Sequence, residues 1–138
     1  MLKTLATAAA TLSLALTSNA YAQDDREMTK GEAELAELLE GRVAGEPESC
    51  IRTIGSRNLE QIDNTALVYR AGDTIWVNYT KTPRSIDDWD YLVIRKFSAS
   101  QLCRTDQVTT RDRTGNFFSG VILLDDFIPY RLPEDATS

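Results

Sequence analysis

Residues 65–80, TALVYRAGDTIWVNYT, carry the strongest hairpin signal in the chain: two runs rich in β-branched and aromatic residues flank Ala71-Gly72-Asp73. Two registers fit it. A two-residue loop of Gly72-Asp73 suits a type II′ turn, because glycine tolerates the positive φ required at its first position. That register puts Leu67, Tyr69, Trp76 and Asn78 on one face, and Ala66, Val68, Arg70, Ile75, Val77 and Tyr79 on the other. A three-residue loop gathers Leu67, Tyr69, Ile75, Val77 and Tyr79 together and asks Asp73 to turn left-handed. The second sorting is the expected one, since a sheet backed by a single helix needs one apolar face.

Working outward, one cysteine lies on each side, Cys50 before the hairpin and Cys103 after it. Upstream, Thr29-Lys30-Gly31-Glu32 matches a capping box. It opens a helix with Ala33, Leu35, Ala36, Leu38 and Leu39 on its apolar side, which Gly41 is placed to end. The segment from Arg42 to Ser49 holds too many breakers for regular structure, Cys50 to Ile54 reads as a short strand, and Ser56 to Ile62 as a helical turn or loop. Downstream, Lys81 to Asp90 is a polar connection and Tyr91 to Phe97 a strand. Gln107 to Arg111 is a further strand, Asp112 to Asn116 a turn, and Phe117 to Leu124 a central strand with Gly120 marking a bulge. Asp125 to Pro133 ends the ordered chain. One N-terminal helix and about five or six strands with short connections predict an α+β domain. Its sheet would be curved or barrel-like and mostly antiparallel.

The first residues read differently. A basic start at Lys3, an uncharged run from Leu5 to Leu16 and the small residues of Ala20-Tyr21-Ala22 form a secretory signal peptide over 1–22. Cleavage there leaves Gln23–Ser138, 116 of the 138 residues, as one domain over 23–133 with a flexible tail over 134–138. The mature chain has no apolar run long enough to span a membrane. Loss of Lys3 takes the net charge from −6 to −7, and an acidic chain without a basic stripe is a poor ligand for nucleic acid. A soluble monomer in the periplasm or medium is expected. In that oxidising setting two cysteines are most simply one disulfide, Cys50–Cys103.

Chemistry is narrowed mainly by the absence of histidine, which excludes Ser-His-Asp and Cys-His machinery and the common zinc sites. No P-loop, dinucleotide or G-x-S-x-G pattern is present. No catalytic residue, metal or cofactor is therefore assigned. Asp87-Asp88-Trp89-Asp90 sets three acids beside an aromatic, and together with Trp76 these residues form the candidate ligand or partner surface. Their spacing lacks the alternating ligands and glycine of a calcium loop. Asn78-Tyr79-Thr80 is a glycosylation sequon, read as incidental behind a bacterial-type leader.

The stretch Leu39 to Ile51, LEGRVAGEPESCI, followed by the hairpin with Asn78 and by Ser100-Gln101-Leu102-Cys103, resembles a group of small exported proteins of alphaproteobacteria that have no assigned function. The resemblance implies a periplasmic or secreted compact domain and no activity. The expected role is a non-catalytic envelope module that binds a protein or small ligand. The alternatives are a hydrolase or lyase using Asp87, Asp88 or Asp90, and a secreted inhibitor presenting the 81–90 loop.

Overall fold

A computed structural model describes residues 26–54 and 59–134. The leader expected over 1–22 lies outside them, as do residues 135–138 of the expected tail. The capping box forms: the Thr29 hydroxyl accepts from the Glu32 amide at 3.2 Å, and the Glu32 carboxylate accepts from the Thr29 amide at 2.8 Å. It opens α1 (Lys30–Leu38), the single α-helix among the described residues.

The strands outnumber those expected. They are β1 (Val43–Ala44), β2 (Cys50–Arg52), β3 (Leu59–Ile62), β4 (Ala66–Ala71), β5 (Thr74–Asn78), β6 (Tyr91–Arg95), β7 (Gln101–Cys103), β8 (Gln107–Arg111), β9 (Phe118–Ile122) and β10 (Ile128–Arg131). All pair antiparallel, in three sheets ordered β1-β10-β5-β4-β3, β2-β7 and β6-β8-β9. The sheets do not close into a barrel. β3 and β6 end their sheets facing one another across a small cleft of about 180 Å³, bridged by the Gln61 side chain donating to the Asp90 carbonyl at 2.8 Å.

The hairpin takes the register that the expectation passed over. Tyr69 pairs with Trp76 and Ala71 with Thr74, so the loop is Gly72-Asp73, with Gly72 at φ 59° and Asp73 outside the left-handed region. The premise of a single apolar face is what fails, because both faces of this sheet are covered. Ala66, Val68, Ile75 and Val77 pack with Leu35 under α1. Leu67 and Tyr69 face the other way, into a larger core with Ile51, Ile86, Leu102, Val108, Ile122 and Phe127 beneath the two smaller sheets.

Asn78 shares that second face and shows how a polar residue survives there. Fully buried, it donates to the Asp125 carbonyl at 2.7 Å and accepts from the amides of Thr80 and Asp125, each at 3.0 Å. The acceptor asparagine of the sequon is therefore sealed inside the fold.

Other corrections have local causes. Leu59–Ile62 is a strand, not a helical turn, because Leu59 and Ile62 find cover in the two cores on opposite faces. Val43–Ala44 pairs at a sheet end despite its breakers. Ile128–Arg131, for which the sequence assigns no element, lies between β1 and β5. Pro129 is tolerated there because the N and O of one strand residue point to the same side. Its carbonyl accepts from Gly45 at 2.7 Å, so its missing N–H faces the point where the two-residue β1 stops. β9 is an end strand, not a central one, and the bulge expected at Gly120 appears as a register shift that leaves Ser119 over.

Cys50 and Cys103 are direct cross-strand partners in β2 and β7 and form the disulfide, with Cα atoms 4.0 Å apart. The bridge spans 53 residues and thus encloses the hairpin. No helix among the described residues is long and apolar enough to cross a membrane.

Candidate functional site

The connection from β5 to β6 is polar in sequence, yet the structure fixes it at several points. Lys81 donates its amide to the Leu123 carbonyl at 2.7 Å, and the Thr82 hydroxyl accepts from the Leu123 amide at 3.0 Å, which covers the outer edge of β9. A 3₁₀ turn over Pro83–Ser85 follows. Ile86 then plunges into the larger core at 0 % exposure while its carbonyl accepts from Asn64 at 2.9 Å.

Asp90 anchors the other end. Its side chain is buried and accepts from the Ser119 hydroxyl, which lies 3.0 Å from that of Thr110. Ser119 reaches it because it is the extra residue of the β9 bulge, and bulges re-aim side chains in this way.

Between these anchors Asp87-Asp88-Trp89 forms a short tip. The Asp87 carboxylate accepts from the Trp89 amide at 2.9 Å, and its carbonyl accepts from the Asp90 amide at 3.1 Å. Trp89 is left 62 % exposed. The Asp63 carboxylate joins those of Asp87 and Asp88, with oxygens within 4.8 Å of one another, all exposed. Three such carboxylates, each giving one oxygen, would leave half or more of the roughly six to eight oxygen positions of a calcium ion to water.

The candidate residues thus divide. Asp87, Asp88 and Trp89 share the tip, Asp90 is turned inward as its anchor, and Trp76 lies toward the turn end of the hairpin. Trp76 is half-buried against the larger core, with the Arg131 guanidinium 5.8 Å from its ring centre. Asp90 is not one of the Asp63–Asp87–Asp88 group, whose three carboxylates gather at the surface and are all exposed.

Asp63 and Ser119 were not singled out in the sequence. Only the pairing of Asn64 with Ile86 brings Asp63 close, and only the bulge selects Ser119. Phe117 and Phe118, part of the run expected to be a central strand, are exposed, because an apolar run does not state which face is covered.

Two of the clefts beside this connection have partly apolar walls. One, of about 400 Å³, has Lys81, Arg104, Asp106, Val121 and Leu123 in its walls, its charge balanced by Asp106 and by an Arg104–Asp126 ion pair at 3.1 Å. The other, of about 510 Å³, runs between α1 and the base of the connection, walled by Leu35, Ala36, Leu39, Tyr79, Thr80 and Pro83. At its rim the Tyr79 and Tyr130 hydroxyls lie 2.7 Å apart. Burial, and then that bond, push the Tyr79 phenol well above its usual range.

Comparison of the chain with protein families, curated proteins and solved structures finds no match.

Proposed function

We propose that this protein is an exported, non-catalytic binding module that acts as a monomer in the periplasm or medium and contacts an envelope protein through Asp87-Asp88-Trp89. The observation that carries the reading is the pair of anchors. Ile86 and Asp90 are both buried, so the three residues between them are held exposed in a fixed turn. Pre-ordering a contact loop lowers the entropy lost on association. The chemistry at the tip, an exposed indole beside three carboxylates, fits a partner offering an apolar pocket rimmed by Lys or Arg. An inhibitor would present the same tip. The cross-strand disulfide agrees with an extracytoplasmic setting, and kinship with the small exported alphaproteobacterial proteins is proposed on the 39–51 stretch.

The test compares wild type with Trp89→Ser and with Asp87→Asn/Asp88→Asn for retention on envelope extracts over a salt series. The expected result is at least tenfold weaker retention for Trp89→Ser, a reduced salt dependence for the double variant, and unchanged melting temperatures for both. Asp90→Asn, which touches no partner, should weaken retention by loosening the tip. Equal retention by all variants would refute the assignment.

A further inference from the structure

The groove between α1 and the base of the connection gathers two irregularities at one residue. Thr80 has φ 52°, a conformation that is a genuine outlier for a β-branched side chain and costs on the order of 1–3 kcal/mol. It is only 8 % exposed, and its hydroxyl has no hydrogen-bond partner. Buried hydroxyls are ordinarily bonded, and an exception calls for a cause. The other unbonded buried side-chain atom among the described residues, Oε1 of Gln61, belongs to an amide whose nitrogen already bonds the Asp90 carbonyl. Thr80 therefore combines strain and an unmet polar group in the wall of a cavity of about 510 Å³, within the range of about 300–1,000 Å³ typical of small-molecule sites.

We propose that this groove binds a small uncharged, largely apolar molecule bearing one carbonyl or hydroxyl group, with Thr80 as its hydrogen-bonding residue. Leu35, Ala36, Leu39 and Pro83 supply the apolar walls. No cation lines the groove and Glu32 stands at its edge, which disfavours an anion. The Tyr79–Tyr130 pair uses one hydrogen between two hydroxyls, so a second phenolic hydrogen is left over beside Tyr79, which lines the groove. The Thr80 hydroxyl is shielded from solvent, so binding there requires it to turn about χ1 toward the bound group. The site is separate from the Asp87–Trp89 surface and does not depend on it.

The test titrates the purified protein with cyclohexanone and with benzyl alcohol, using hexanoate as the anionic comparison, and follows ¹H–¹⁵N NMR shifts. The two neutral probes should give saturable shifts at Leu35, Leu39, Tyr79 and Thr80, with hexanoate at least tenfold weaker. Thr80→Val should bind the neutral probes at least fivefold more weakly while melting at a higher temperature, since it deletes an unmet buried hydroxyl. Ala36→Phe, which removes no contact and fills the groove, should abolish the shifts with the spectrum otherwise retained. Neutral probes that do not saturate, or Thr80→Val binding as tightly as wild type, would overturn the proposal.

Discussion

Asn78 shows how one residue can govern a register. The expectation of one apolar face favoured the other hairpin sorting, which keeps Asn78 off that face, whereas the observed register buries it. In the fold it closes the ends of two backbone segments, and a truncation there would strand the amide and carbonyl of Asp125 and the amide of Thr80. With about 1–3 kcal/mol lost per unmet buried group and three groups stranded, Asn78→Ala should destabilise the protein by at least about 3 kcal/mol in urea unfolding. A loss under 1 kcal/mol would show the site to be water-accessible. Gly31 makes a second residue-scale case. A Cβ there would lie 2.1 Å from the Thr65 hydroxyl oxygen and 2.4 Å from the Asp63 carbonyl, so the helix start sits directly on the β3–β4 turn. Gly31→Ala, usually favourable in a helix, should cost about 1–3 kcal/mol through overpacking. Nothing in the spacing of residues 29–39 discloses that contact, because it is made with a segment more than thirty residues away.

At the scale of elements, local chemistry was legible and partners were not. The capping box, the bulge near Gly120 and the glycine of the hairpin turn each follow from short-range rules. β10 did not, because the tolerance of Pro129 depends on where β1 stops. The capping box also sets a pH response. The Thr29 amide, followed by Arg26 and the Thr29 hydroxyl, holds the Glu32 carboxyl below its usual value. The Gly115 amide and the Thr114 side chain do the same for Asp112 in the β8–β9 turn. A lowered folded-state pKa contributes stability that is fully present above the ordinary carboxylate range of about 4 and lost as pH falls through the lowered values. Helix and turn amides should therefore lose hydrogen-exchange protection on acidification below about pH 4. Glu32→Gln should remove that response in α1 alone. An α1 response unchanged by Glu32→Gln would contradict the assignment.

At the scale of the whole molecule, the mostly antiparallel strands beside one helix, though not their number or their division into three sheets, and the disulfide were readable. The layering was not. That α1 and the two smaller sheets cover opposite faces of one five-stranded sheet is a property of the assembled chain. The Cys50–Cys103 bridge staples β2 to β7 within the second of those covers, and closing a loop of 53 residues is worth about 4 kcal/mol in the chain-entropy account. Against a typical total of about 5–15 kcal/mol, the Cys50→Ala/Cys103→Ala variant should be largely unfolded at 37 °C by near-UV circular dichroism. The same layering buries Ile86 and Asp90 and thereby fixes the tip on which the functional proposal stands. The most direct test places a photo-crosslinking residue at position 89, with a second at the exposed Glu37 of α1 for comparison, in protein expressed in its own envelope. A discrete adduct from position 89 that is absent from position 37 is the predicted result. Adducts of equal yield from both positions, or none from position 89, would contradict it.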